Sequence, residues 1–387
     1  MNAKTTPVRE RPLRICYFGT YRADYVRNRL MIDRLRAQGV QVIECHARLW
    51  RGIEDREQVG GGGWKSPRFW WRAITAYARL LWRYLRVGSY DVMLVGYPGQ
   101  PDIPLARLLT WMSGKPLVWD VLMSIYLIAR ERKLEARSRF SVEMMRRLES
   151  LDCRLVDWFL LDTPAYADWF QETYAIPKQR IRLLPLGADD RVFKPANQEM
   201  RPKKAFRCVY YGTFIPNHSV ETIIRAADLL RSDPEIQFEL IGQGPEKAKA
   251  RQLAHELGLE NVRFVDWMDV ESLIAEVGQS ELCLGTFGKT PQALMTMQNK
   301  IHECLAMAKP LINGDSPVMR ALFQHGEQIY LCPREDPQAL AQAIRALKGN
   351  PALREKLARQ GYAYYQEHLS FERLGQQLAG YLEEIVA

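Results

Sequence analysis

The sequence predicts an α/β protein made of two doubly wound domains. Three observations carry this expectation. Apolar runs of strand length alternate with segments of helical periodicity along the whole chain, the pattern of parallel sheets covered by helices. The 387 residues are too many for one ordinary core and suit two of roughly 150–200 residues each. The stretch Gly187-Ala188-Asp189-Asp190-Arg191-Val192-Phe193-Lys194-Pro195 is bounded by Gly and Pro and reads as a linker. The domains are therefore expected at 1–190 and 196–370, with a last helix over 371–387 able to pack back on the first.

In chain order, Leu13 to Phe18 reads as a strand ending in Gly19-Thr20, then a helix from Arg22 to Gln38 closes on Gly39. Val40 to Cys45, Asp91 to Gly96, Pro116 to Trp119 and Trp158 to Asp162 are further short apolar runs of parallel-strand type. The second domain opens with a strand from Phe206 to Gly212 and a helix from Ser219 to Arg231. Strands follow at Ile236 to Gly242, 261–265, 281–285 and 310–313, with helices at 245–257, 269–278, 297–308 and 336–348. Beyond Pro351 the pattern is helical to the end, and the glycine run at 60–63 reads as a mobile loop. Two such halves are expected to face each other across a cleft, with ligands outside the carboxyl ends of the strands.

Composition narrows the class. With 47% hydrophobic and 26% charged residues, the whole chain is neither disordered nor fibrous. No apolar run reaches the ~18 residues of a membrane span, and no apolar segment follows the basic start as a signal peptide would. Seven scattered cysteines, odd in number, suit reduced thiols, so a cytoplasmic location is expected.

Net charge is +9, unevenly shared: residues 1–195 carry 33 Lys and Arg against 21 Asp and Glu, net +12, and the remainder is −3. The sharpest contribution is residues 64–86, with six basic residues, four Trp and no acid. Arg68, Arg72, Arg79, Arg83 and Arg86 recur at helical spacing as one cationic stripe, with Phe69, Ile74, Leu81 and Leu85 on other faces. Together with Trp71 and Trp82 the stripe suits a lipid headgroup boundary, so peripheral binding to an anionic membrane face is expected. The bland alternative is a core-packed helix with a solvated arginine face. No nucleic-acid-binding motif accompanies the charge, so nucleic acid is not an expected partner.

Several chemistries are excluded by motif. No G-x-G-x-x-G follows the first strand and no P-loop occurs. C-x-x-C, H-E-x-x-H and G-x-S-x-G are absent, and no two Asp are separated by one residue, so no metal site is expected. What remains is a set of strand-end loops suited to a nucleoside diphosphate. Gly212-Thr213-Phe214-Ile215-Pro216-Asn217-His218 offers donors at Thr213 and His218; the imidazole ordinarily titrates near neutrality, which makes His218 a candidate catalytic residue as well. Gly242-Gln243-Gly244-Pro245 closes another strand. Asn299 and Lys300 open a helix whose free N–H groups suit an anion, and Glu303, one turn on, can accept from ribose hydroxyls. In the first domain Gly19, Thr20, Tyr21 and Arg22 form a strand-end loop that can meet phosphate or acceptor, with Arg27 and Arg29 close behind. Asp120 is the carboxylate placed to orient an acceptor hydroxyl or stabilise oxocarbenium charge.

The string Asn299-Lys300-Ile301-His302-Glu303-Cys304-Leu305-Ala306-Met307-Ala308-Lys309-Pro310-Leu311-Ile312 resembles the K-x-x-E-x-x-A-x-G-K-P-V-I signature of retaining GT-B glycosyltransferases, the large family-four group. Gly212 to Val220 resembles that family's phosphate loop, and Gly242-Gln243-Gly244-Pro245-Glu246 its G-x-G-P-E turn. Asn313-Gly314-Asp315-Ser316-Pro317 with His325-Gly326, and Pro185-Leu186-Gly187 with Phe193 and Pro195, resemble further family stretches. The likeness runs from about residue 13 to 375 and is specific for the family, not for a sugar. It implies a GT-B fold of two Rossmann-like domains and a nucleotide-sugar substrate, with no cofactor. It further implies retaining, metal-independent transfer of a hexose, the leaving diphosphate helping to deprotonate the acceptor.

Glu303 matches the second Glu of the family's pair, which binds the donor ribose; Met295 stands where the first belongs, so its sugar contact is not carried over. Thr213 and His218 replace the usual Arg and Lys of the phosphate loop. The acceptor is expected to be a glycan or lipid-linked, at the inner face of the cell membrane. Rival readings are a nucleotide-sugar epimerase or phosphorylase on the same fold, and a sugar-nucleotide-binding adaptor without turnover.

Overall fold

The computed structural model describes residues 11–50, 66–136, 138–195 and 205–387. The glycine run at 60–63, Trp64 and Lys65 lie outside them. Residues up to Leu184, together with Leu374–Ala387, form one compact unit, and Pro185–Arg373 form the other. The division falls ahead of the Gly- and Pro-bounded stretch because that stretch is held by the second unit. Tyr365 donates to the carbonyl of Ala188 (3.3 Å), and the Phe371 amide to Asp190 (2.9 Å).

The first unit runs β1 (Arg14–Gly19), α1 (Val26–Ala37), β2 (Gln41–His46), α2 (Pro67–Tyr84), β3 (Val92–Val95), α3 (Ile103–Ser113), β4 (Leu117–Asp120), α4 (Ile125–Glu131), α5 (Arg139–Leu155), β5 (Trp158–Leu161), α6 (Pro164–Tyr174) and β6 (Ile181–Leu183). Its strands are all parallel in the order β2-β1-β3-β4-β5-β6. The central strands β3 and β4 are buried throughout, which is why they read as unbroken apolar runs. The order reverses between β1 and β3. Right-handed crossovers then set α1 on one face and α2, α3, α5 and α6 on the other. A last helix, from Phe371 to Val386, joins the α1 face, where Leu374, Leu378 and Leu382 pack with Ile15, Met31 and Leu35.

The second unit runs β7 (Phe206–Tyr211), α7 (Val220–Leu229), β8 (Ile236–Ile241), α8 (Lys247–Glu256), β9 (Val262–Val265), α9 (Val270–Gly278), β10 (Leu282–Leu284), α10 (Pro291–Met295), α11 (Asn299–Ala306), β11 (Leu311–Gly314), α12 (Pro317–Leu322), β12 (Tyr330–Cys332), α13 (Pro337–Gly349) and α14 (Pro351–His368); the helix that returns to the first unit is α15. Strand order is β12-β11-β10-β7-β8-β9, the Rossmann arrangement, reversing between β7 and β10. Its core is built on Cys208, Tyr210, Phe214, Ile223, Phe238 and Leu240 among others.

One interaction in the first unit corrects the sequence expectation. Asp120, at the end of β4, is wholly buried and receives Nε and Nη2 of Arg27 at 2.8–3.1 Å. Arg27 also donates to the Leu184 carbonyl at 3.0 Å, fixing the end of β6. Asp120 is therefore a structural anion and does not meet an acceptor, and Arg27 is not available to phosphate. Removing one member of such a pair leaves an uncompensated buried charge. Asp120→Ala is expected to destabilise the first unit by about 3–5 kcal/mol, read as a lowered urea midpoint of its unfolding transition.

Candidate functional site

At a strand-order reversal neighbouring loops diverge to opposite faces and leave room outside the carboxyl ends. In the second unit three loops meet at that point. Gly212, after β7, takes φ +139°, and Gly242, after β8, takes +137°. A Cβ on Gly242 would stand 2.0 Å from the Gly212 carbonyl oxygen, so only glycine lets these strand ends approach. The Phe214 amide donates to the Gln243 carbonyl (2.9 Å), and the Phe287 amide, beyond β10, to the His218 carbonyl (3.0 Å). Lys247 is committed to the Val265 carbonyl (2.9 Å) and Asp266 (2.7 Å), which fastens the Gly242 loop.

Lys300 projects into this rim from the first turn of α11. It is 4% exposed, and its Nζ has no hydrogen-bond partner among the described residues. It lies 3.7 Å from the ring centroid of Tyr210, and a Cβ on Gly212 would sit 3.1 Å from it. Burial pushes its pKa down to about 7. Gln298, ahead of the helix, makes no side-chain cap bond, so the N–H groups of Asn299 and its neighbours receive no cap there. Glu303, half-buried one turn on, is pushed up to about 7 by burial, against a hydrogen bond from Tyr211 and the charge of Lys300. A buried cation at a helix N-terminus, with a carboxylate one turn further in, can take a phosphate and then a pair of hydroxyls.

His218 differs from its expected behaviour. Its Nδ1 is 2.8 Å from the Tyr210 hydroxyl, and burial, followed by Lys300, holds its pKa well below the usual imidazole value. It is neutral at pH 7 and adds no charge to the loop. Thr213, half-buried, presents its carbonyl to the Tyr210 hydroxyl at 3.1 Å. Met295 ends α10, half-buried.

Sequence reasoning missed Arg334. It follows β12 by two residues and is 5% exposed. Its Nε donates to the Asp315 carbonyl and Nη1 to that of Gly288, both at 2.7 Å, while Nη2 has no partner among the described residues. Burial lowers its pKa to about 10. Its only sequence signal is a position just past a strand end.

In the first unit the Gly19 loop is tied inward. Asp102, fully buried, accepts from the Thr20 amide (2.7 Å), the Thr20 hydroxyl (3.0 Å) and Tyr77 of α2 (2.9 Å). A Cβ on Gly19, at φ +133°, would meet Asp102 at 2.6 Å. Tyr21 is buried, reaches Glu44 (3.2 Å) and packs on His46. Thr20 and Tyr21 thus serve the fold and present no donor to a ligand. Arg22 stays partly exposed, paired with Asp24 at 2.9 Å, and Arg29 is exposed.

Helix α2 has three faces. Ala73, Ala76 and Leu80 meet the core, and Arg68, Arg79, Arg83 and Arg86 stand exposed along one flank. Arg72, on the same flank, is half-buried against Phe69. The other flank turns Trp70, Trp71, Ile74, Leu81, Trp82 and Leu85 to solvent, Trp71 72% exposed. Arg86 stacks on Trp82 at 3.4 Å. Among the described residues no helix is long and apolar enough to cross a membrane.

Residues 205–350, the segment that builds this rim, match the family model described as Glycosyl transferases group 1. Over that segment the chain resembles glycosyltransferases of the group 1 type, and curated glycosyltransferases resemble it over more of its length. It is 26% identical over 289 residues to the alpha-D-kanosaminyltransferase of Streptomyces kanamyceticus, covering 72% of this chain and 73% of that one. It is 24% identical to a D-inositol 3-phosphate glycosyltransferase of a Nocardioides species, covering 83% and 71%. Among solved structures, Anabaena HepE in complex with UDP aligns with TM-score 0.69 at 14% identity, over 97% of this chain and 100% of that one. Sucrose-phosphate synthase from Thermosynechococcus elongatus aligns with TM-score 0.72 at 18% identity, over 97% and 99%. The fold is GT-B, with two Rossmann-like units.

An unpaired buried ammonium is a local instability. Lys300→Met removes that charge and keeps the volume. It is expected to raise the ligand-free stability of the second unit at pH 6 by about 1–3 kcal/mol, allowing for the lost contact with Tyr210. The gain should shrink as pH rises from 7 toward 10.5, because the depressed pKa makes folding release a proton there. Urea titrations at several pH values read both effects.

Proposed function

We propose that the protein transfers a hexose, with retention, from a nucleoside diphosphate sugar to a glycan or lipid-linked acceptor. The reaction requires no metal, and the protein works peripherally at the inner face of the cell membrane. The observation that carries the donor reading is Lys300: a buried ammonium without a partner, beside Gly212, at the start of a helix with Glu303 one turn on. Diphosphate charge is met by Lys300, the α11 N–H groups and the free edge of Arg334, and Glu303 accepts from the ribose hydroxyls. His218 is neutral and buried, and Asp120 is paired, so neither acts as a strong base. That favours a mechanism in which positioning and leaving-group stabilisation drive transfer, with the departing diphosphate taking the acceptor proton on the same face. The exposed tryptophans and arginines of α2 support a membrane-proximal acceptor.

The test is calorimetric titration with the common nucleoside diphosphates and their sugars, with and without EDTA, across pH. Binding of one base, unaffected by EDTA and abolished in Glu303→Ala, is the expected result. Affinity should peak near pH 7. Below it Glu303 protonates and becomes a weaker acceptor for the two hydroxyls; above it the free site holds neutral Lys300, so binding must take up a proton at up to about tenfold per pH unit. Glu303→Gln should flatten the acid limb and leave the alkaline one. If no nucleoside diphosphate binds, the donor reading fails. Once an acceptor is found, proton NMR of the first product should show the donor's anomeric configuration retained; inversion, or epimerised donor without transfer, would replace this mechanism.

A further inference from the structure

A crossover helix normally turns its apolar side to the sheet and its polar side to water. Helices α2, α3 and α5, on one face of the first unit's sheet, depart from that rule together. They are neighbours: Tyr84 of α2 donates to the Leu109 carbonyl in α3 at 3.4 Å, and Arg107 of α3 donates to the Leu155 carbonyl ending α5. Among the described residues sixteen large apolar side chains stand exposed, and twelve of them belong to these helices or to Leu85, which caps α2. On α3 they are Leu108, Trp111 and Met112, a single stripe with Trp111 66% and Met112 79% exposed. On α5 they are Phe140, Met144 and Leu151, spaced four and seven apart and so also one stripe.

The charge on this face has one sign. The exposed arginines of the α2 flank are joined on α5 by Arg139, Arg147 and Arg154. Glu143 is the one carboxylate of the three helices that is not buried, and Arg146 and Arg147 donate to it at 3.1 and 3.0 Å.

We propose that the three helices together form a docking surface for an anionic phospholipid leaflet. The apolar stripes enter the headgroup boundary, where tryptophan is at home, and the arginines meet lipid phosphates. A second copy of the chain is a poorer occupant, since symmetric pairing sets the arginines of one copy against those of the other. The surface assigns α3 and α5 a role that no sequence pattern showed, and it does not depend on transfer taking place.

The experiment is vesicle co-sedimentation of the full chain in moderate salt without donor. Vesicles of phosphatidylcholine with phosphatidylglycerol are compared with phosphatidylcholine alone. The protein is expected to bind the anionic vesicles and to bind neutral ones at least about tenfold less well, with a similar loss for Arg68→Glu with Arg79→Glu. Trp111→Ser with Met112→Ser should weaken binding by about tenfold, and Phe140→Ser by less. These side chains are exposed, so melting midpoints should hold and serve as the folding control. Absence of binding to anionic vesicles overturns the proposal. So does binding indifferent to the α3 and α5 changes, or a dimer in solution that the α3 changes dissolve. The surface rests on the peripheral-membrane part of the proposed function, whereas nucleotide titration reads the donor site separately, so the donor reading and this surface can fail independently.

Discussion

The constraint on which the second unit turns is the buried charge of Lys300. Two forces oppose it: burial strips its water, and its place in the first turn of α11 sets it against the positive end of the helix dipole. The Tyr210 ring offsets part of that at 3.7 Å, an attraction of about 1–2 kcal/mol for a desolvated pair. Much of the surroundings follows. Gly212 lacks a side chain where one would press on the ammonium, His218 is neutral beside it, and Glu303 is held near its titration point. A carboxylate hydrogen-bonded to the ammonium would relax all of this and would also occupy the place of an anionic ligand.

The first unit solves the opposite problem. Its strand-end charges are satisfied internally: Arg27 by Asp120 and Leu184, and Asp102 by Thr20 and Tyr77. These bonds tie β1, α1, β4 and β6 into one frame and fasten α2 to the β1 and β3 ends. With Tyr77 and the small residues Ala73 and Ala76 facing inward, the bulky tryptophans of α2 are left on the outside. Rigidity on the sheet side and an apolar surface on the solvent side thus come from the same helix.

The strands were legible because parallel strands buried on both faces are unbroken apolar runs, and β3 and β4 are clear cases. The strand-end loops of the second unit were legible because glycine marks places where two backbones nearly touch, as at Gly212 and Gly242. Pairings across long sequence separations were not. Arg27 and Asp120 stand 93 residues apart, and each alone reads as an available charge. Periodicity set Phe69, Ile74, Leu81 and Leu85 apart from the cationic stripe of α2 without saying which face meets the sheet; small residues took that side, leaving Ile74, Leu81 and Leu85 in solvent. The join moved toward the first unit because Asp190 is bonded to Phe371, another contact invisible in the local pattern.

The replacement of basic residues in the loop after β7 leaves the rim with a different supply of charge. Thr213 and neutral His218 contribute none, yet two cations with an unpartnered atom stand at this rim: Lys300 on α11 and Arg334 after β12. A chain of backbone bonds connects them. Arg334 holds the Gly288 carbonyl, the Gly288 amide donates to Asn217, and Asn217 precedes His218, which feels the charge of Lys300. Both cations are buried, and both lose basicity through burial rather than through a partner. Charge held this way is fixed in direction before any ligand arrives, so little reorganisation would be needed for the leaving diphosphate of the proposed reaction. A surface lysine in the loop would give the same net charge with more freedom and more water. The arrangement of this rim therefore favours stabilisation of a leaving group over capture of an anion at long range.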